Sequence, residues 1–157
     1  MLYFGHGSNI DRHQMMVRCP GSRFVAPARV HNYRLCFPRW SKVRESAIAS
    51  MEPAKGEMVW GALYEITPDD LARLDMIEGF AVSRDAARNE SQRISVRVER
   101  PDGISGDAKT HIAVPTENAG DPSPGYLLVL MRAATELNFP KDFIERIKAS
   151  GSGPLAA

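Results

Sequence analysis

The chain reads as an α+β protein with a mostly antiparallel sheet, on three observations. Short apolar runs follow one another rather than alternating with helices; one of them, Met58 to Ile66, rich in β-branched and aromatic residues, reads as the central strand; and the strongest helix start, Thr67-Pro68-Asp69-Asp70, comes directly after it. With 157 residues, 43% hydrophobic and 25% charged, one domain with a real core is expected over residues 1–150. The tail Gly151-Ser152-Gly153-Pro154-Leu155-Ala156-Ala157 is expected to be disordered.

Leu2 to Phe4 is a short strand ended by Gly5 and Gly7, and the segment from Asn9 to Val17 offers a capping residue and apolar positions at helical spacing. Cys19-Pro20-Gly21-Ser22 breaks that helix. Phe24-Val25, Arg29 to Phe37 and Ser46 to Met51 then read as strands divided by Pro27, Pro38 and Pro53, ahead of the central strand Met58 to Ile66. In the next helix Thr67 caps, Pro68 suits the first position and two acids face the positive end of the dipole. Leu71, Leu74 and Ile77 fall on one face of it, expected to be buried, and Gly79 stops it. The polar stretch Ala81 to Glu90 predicts an exposed loop, Ile94 to Val98 a strand, Pro101-Asp102-Gly103 a turn, and Thr110 to Val114 a further strand. Glu117 to Pro124 is loop-like, and helices are expected over Tyr126 to Leu137 and Lys141 to Lys148.

Composition excludes several classes of partner. Twenty basic against nineteen acidic residues leave a formal charge of +1, so no net field draws the chain to nucleic acid or an anionic membrane. The best apolar run, Tyr126 to Met131, is far too short to span a bilayer. Cys19 and Cys36 lack CxxC spacing and the chain opens on an apolar strand without a basic leader, which predicts a reducing, cytoplasmic setting.

Two short signals carry chemistry. Tyr3-Phe4-Gly5-His6-Gly7-Ser8-Asn9 offers a loop of bare backbone amides, and glycines there let a ligand approach the main chain. The plain structural reading is a tight turn with Ser8 or Asn9 capping the next helix; the segment lacks the lysine of a P-loop and the full GxGxxG of a dinucleotide site. Leu74-Asp75-Met76-Ile77-Glu78-Gly79 places a carboxylate on the last turn of a helix, where the dipole disfavours it. A solvated last-turn glutamate is the ordinary account of Glu78; a proton-transferring acid is the functional one. Asp75 reads as a surface or hydrogen-bonding residue.

Taken in order, YFGHGSN before a helix, the strand Val59-Trp60-Gly61-Ala62-Leu63-Tyr64, LDMIEG after a proline-started helix, and Pro122-Ser123-Pro124-Gly125-Tyr126 resemble the γ-glutamylcyclotransferase family, including its AIG2-like members, from Tyr3 to about Lys148. The resemblance implies a barrel-like mixed sheet flanked by helices, with the catalytic acid on Glu78 and a substrate-holding loop over Tyr3, Gly5, His6, Gly7, Ser8 and Asn9. The family's tyrosine falls on Tyr126, which is otherwise a helix residue packed in the core.

The implied reaction converts a γ-glutamyl amine or γ-glutamyl amino acid to 5-oxoproline and a free amine. The substrate's α-amine attacks its own γ-carbonyl while Glu78 takes a proton and returns it to the leaving nitrogen. Ring closure is intramolecular, so no cofactor or metal is expected; a homodimer is implied by resemblance alone. His6, where relatives carry tyrosine, Ser91 near a usual aromatic, and Ile112 at another tyrosine position depart from the pattern and are expected on the pocket wall. They predict that a standard γ-glutamyl dipeptide is a poor substrate.

Rival chemistries are weaker. Ser8 with His6 or His13 lacks a GxSxG elbow. His6, His13, His31, His111, Cys19 and Cys36 show no metal-ligand spacing. The run Arg39-Trp40-Ser41-Lys42-Val43-Arg44 is a basic-aromatic segment more simply read as a solvated hairpin tip than as a nucleic-acid contact. The remaining alternative is a non-catalytic binding or interaction module on the same scaffold, which needs no acid facing the pocket.

Overall fold

Two long strands dominate the architecture. In the computed structural model, which describes residues 1–151, β2 (Arg23–Ser41) and β3 (Ser46–Glu65) form one extended antiparallel hairpin. β1 (Leu2–Gly5) pairs antiparallel with β3, β4 (Ser91–Glu99) meets β2 at Arg29↔Glu99, and β5 (Ser105–Ala113) pairs with β4 along its length. A parallel bridge, Tyr3↔Lys109, joins β5 back to β1 and closes the barrel in the order β1-β3-β2-β4-β5. Four helices flank it: α1 (Arg12–Arg18), α2 (Pro68–Ile77), α3 (Pro124–Glu136) and α4 (Lys141–Ala149).

The prolines do not divide the strands as expected. Register shifts lie between Phe24/Ala26, His31/Tyr33 and Cys36/Arg39, and Pro27, Pro53 and Pro38 sit at or beside them. A proline lacks only one ladder donor, so an irregular position accommodates it while the strand continues and bends. The bends let a single hairpin wrap the barrel. β4 and β5 also run longer than expected, because the Pro101-Asp102-Gly103 turn between them is tight: Gly103 has φ +86 and its N–H donates to the Arg100 carbonyl at 2.9 Å.

One core runs from Tyr3 on β1 through Val30, Val59 and Val98 to Leu130, Phe143 and Ile147 on the last helices. Trp60, Phe139 and Phe143 stack in sequence with centroids 6.0 and 5.9 Å apart, tying the outer face of the barrel to α4. Leu74 of α2 is fully buried in this core and Leu71 packs against it, but Ile77 is exposed, because the last turn of α2 overhangs a cavity rather than the barrel wall. The Ala81–Glu90 loop is mostly exposed, pinned by the buried Asn89, whose carboxamide exchanges hydrogen bonds with the Ala81 main chain at 3.1 and 3.3 Å. Among the described residues no helix is long and apolar enough to cross a membrane. The tail expected to be disordered lies, beyond Gly151, outside the described residues.

Candidate functional site

The loop after β1 folds back on itself at Gly5, where a Cβ would lie 2.9 Å from Asn9. The space left by that glycine is therefore filled by Asn9, not kept open for a ligand. A 3-10 turn over Ser8–Ile10 follows, with bonds from Ile10 to Gly7 and from Asp11 to Ser8 at 3.1 and 3.0 Å, which leaves the Gly7, Ser8 and Asn9 amides outside the turn's own ladder. Asp11, not Ser8 or Asn9, caps α1, accepting from the His13 amide at 3.0 Å. The two expected caps are thereby released for other work.

Asn9 is buried and its orientation is determined by its neighbours. Its carbonyl oxygen accepts from Gln14 at 3.0 Å and from Arg18 at 2.9 Å, so its amide nitrogen must face the other way, toward Glu78 Oε1 at 3.3 Å. Glu78 caps the C-terminus of α2. Its N–H closes on the Leu74 carbonyl at 2.8 Å, and Gly79 (φ +66) and Phe80 return to the Met76 and Asp75 carbonyls at 3.2 and 2.8 Å, a Schellman closure. A Cβ at Gly79 would meet the Glu90 side chain, which is exposed and can move, so it is the left-handed φ that favours glycine at the turn presenting Glu78. The Glu78 side chain is one-quarter exposed, 3.7 Å from Arg18, whose charge burial disfavours and Glu78 supports.

Loop and acid line the same cavity, of about 630 Å3. Its wall includes each site residue expected from the sequence: Tyr3, Gly5, His6, Gly7, Ser8, Asn9, Glu78 and Tyr126. Tyr126 is buried on α3 and its hydroxyl oxygen accepts the Ala49 amide at 2.9 Å, so its own proton is uncommitted. Burial pushes that phenol up to about 12, so at neutral pH it stays protonated and keeps an O–H to donate.

His6 is also buried. Its Nε2–H donates to the His111 carbonyl at 2.8 Å, and burial holds its pKa down near 4, so the ring is neutral with a bare, buried Nδ1 that has no partner among the described residues. Ser91 lines the cavity with an equally unpartnered Oγ. Ile112 does not share their wall: along β5 His111 and Ala113 face the cavity, and strand alternation turns Ile112 the other way.

Several cavity residues were not anticipated. The hairpin tip Arg39–Arg44 is not simply solvated; it leans over the mouth and contributes Arg39, Trp40, Ser41, Lys42, Val43 and Arg44 to the wall. His111 is buried beneath Tyr3, and neither it nor Arg18 carries a signal in sequence spacing, because strand register brings one in and the α1 turn the other. The rival pairings do not form. Ser8 Oγ accepts from Gln14 at 2.8 Å rather than from a histidine, and among the described residues no three His, Cys, Asp or Glu side chains cluster as a metal would require.

A model of the AIG2-like family matches residues 58–147, a span holding the central strand, the Glu78 turn and both C-terminal helices. The chain belongs to the AIG2-like family. Relatives extend that likeness over the N-terminal loop as well. A Homo sapiens gamma-glutamylcyclotransferase is 27% identical over 152 residues, covering 94% of this chain and 77% of its own length. A solved gamma-glutamyl cyclotransferase superposes with a TM-score of 0.84 at 25% identity, covering 95% of this chain and 86% of the other. A solved, uncharacterised Homo sapiens protein gives 0.82 at 27% identity, covering 94% of this chain and 86% of its own. This AIG2-like chain therefore has the γ-glutamylcyclotransferase fold, an α+β barrel with flanking helices.

Proposed function

We propose that a single domain over residues 1–150 cyclises γ-glutamyl amides to 5-oxoproline with release of the amine, Glu78 moving the proton. The observation that carries this reading is the Glu78 carboxylate standing 3.3 Å from Asn9, in the cavity floored by the loop that Asn9 ends. The α-nitrogen of the substrate, placed beside Glu78, gives up a proton to it and attacks the γ-carbonyl carbon; the C–N bond of the amide then breaks, and the same proton goes to the departing nitrogen. Holding the chain folded supplies much of the rate, because the reacting atoms belong to one molecule. The Gly7, Ser8 and Asn9 amides and the free Tyr126 proton are donors suited to the substrate's α-carboxylate.

The wall carries Arg18, Arg39, Lys42 and Arg44 against Glu78 and Glu90. This cationic excess favours a γ-glutamyl amino acid, whose leaving part brings a second carboxylate, over a γ-glutamyl alkylamine. The names of the relatives support the same activity. His6 and Ser91 remain as departures in the wall, so among γ-glutamyl amino acids the preferred leaving residue is expected to differ from alanine. The test is a panel of γ-glutamyl amino acids and γ-glutamyl alkylamines assayed for 5-oxoproline with the wild type and Glu78→Gln. Release by the wild type and not by a folded variant is the expected result; tight binding without release from any member would replace the enzyme with a binding module.

A further inference from the structure

Tyr3 and Tyr126 line one cavity with opposite hydrogen-bond polarity. Asp75, three residues before Glu78 on α2, receives an ion pair from Arg93 and a hydrogen bond from His111 Nε2 at 2.8 Å. A carboxylate paired with arginine only accepts, so His111 carries its proton on Nε2. Its Nδ1 is then a bare lone pair, and it accepts the Tyr3 hydroxyl proton at 2.8 Å. Burial holds both His111 and Tyr3 in their neutral forms, the ring by lowering its pKa and the phenol by raising it. Tyr3 has therefore spent its only proton inward. What it shows the cavity is oxygen lone pairs.

Tyr3, Asn9 and Glu78 line the same cavity, where the Glu78 charge disfavours the phenolate and the Asn9 amide, a donor, takes up part of the phenol oxygen's accepting capacity. A ligand nitrogen beside Glu78 thus meets two acceptors, a carboxylate and a phenol oxygen. Tyr126, with its proton free, suits the opposite kind of group. Resting on the cyclisation reading, we propose that Tyr3 accepts a hydrogen bond from the substrate's α-amino group and so aims its lone pair at the γ-carbonyl. His111 and Asp75 are positioning residues that keep Tyr3 in acceptor polarity. Asp75 also clamps the last turn of α2 to β5, so the relay sets Tyr3 and Glu78 from one anchor.

L-glutamine and glutaramic acid, the same amide without the α-amino group, separate this role from packing. For Tyr3→Phe, titration calorimetry is expected to show glutamine binding weakened about 10- to 100-fold with glutaramic acid unchanged. Asp75→Asn, which no longer demands the Nε2 proton, should give a smaller loss of the same selectivity. In the cyclisation assay Tyr3→Phe should lower kcat/KM by a similar factor, and Glu78→Gln should lower kcat further while also weakening glutamine binding, because the amino group then loses the charged one of its two acceptors. Nitrogen-15 spectra of the wild type give a readout independent of any variant's folding: His111 is expected as the Nε2–H tautomer. The Nδ1–H tautomer, or equal loss of both ligands in Tyr3→Phe, overturns the assignment. Selective loss of glutamine binding in a protein that releases no 5-oxoproline would uphold Tyr3 as the amino-group acceptor while removing the catalytic reading.

Discussion

The two ends of α2 each hold a partly or fully buried carboxylate, and they are bound in contrasting ways. At the N-terminus, Asp70 is 2% exposed and accepts the Thr67 and Gly21 amides at 3.0 and 3.2 Å, while its own amide donates to the Thr67 hydroxyl at 3.1 Å. The positive end of the dipole adds to that stabilisation. At the C-terminus, Glu78 opposes the dipole, and its neighbours stand off at 3.3 and 3.7 Å on the edge of a large cavity. The first acid is where folding wants one. The second is held loosely by the fold and open to the cavity, the contrast on which the proposed proton-transfer role of Glu78 rests.

Breaking this contrast at its functional end gives the largest effect. Glu78→Gln is expected to lower the rate of 5-oxoproline release by about 10²- to 10⁴-fold, with stability changed by no more than about 1 kcal/mol, since a charge leaves the negative end of the helix while Arg18 loses its partner. Steady-state kinetics and urea melts on one preparation check both halves; a rate within twofold of wild type removes Glu78 from the mechanism.

A pH titration sharpens the contrast from the cavity side. His6 falls from 6.5 unfolded to about 4 folded, so the unfolded chain binds the extra proton first. Stability is therefore full above pH 6.5 and declines as the pH drops toward 4, by roughly 3 kcal/mol from this residue alone, with His111 acting in the same direction. Urea unfolding across that window should show a shallower slope in His6→Asn; equal slopes would place the titration elsewhere.

At the folding end, Asp70→Ala should cost about 1 to 3 kcal/mol, since it leaves the Thr67 and Gly21 amides unpaired, while cyclisation by the protein that remains folded is unaffected. Loss of activity without loss of stability would erase the distinction between the two ends. Gly79→Ala should be the mildest, about 1 to 2 kcal/mol for a left-handed alanine, relieved in part by movement of the exposed Glu90 side chain. A wild-type melting curve there would mean that the Schellman turn does not restrain Glu78.

Legibility in the sequence follows the same division. The N-terminal end of α2 was readable because its cap, proline and acids are consecutive and act over one turn. The stop at Gly79 was readable for the same reason. The lengths of β2 and β3 were not, because a proline at a register shift and a proline that ends a strand are alike in sequence. Within the site, the loop and Glu78 could be named but not joined, since residues 69 apart meet only through the packing of α1 and α2. The Tyr3–His111 bond spans 108 residues and depends on one bridge in the barrel seam. Local patterns report local energies; register between distant strands leaves no such trace.

That seam has a consequence for how the cavity forms. β1 is four residues long and meets β5 at Tyr3↔Lys109, so the wall between the loop and His111 exists only after the two most distant strands have found each other. Such a late, long-range closure is entropically slow, and it governs the folding rate more than the local hairpins do. In refolding from urea, recovered turnover should therefore trail the return of far-ultraviolet ellipticity, with the chain regaining most of its secondary structure before it regains a working cavity.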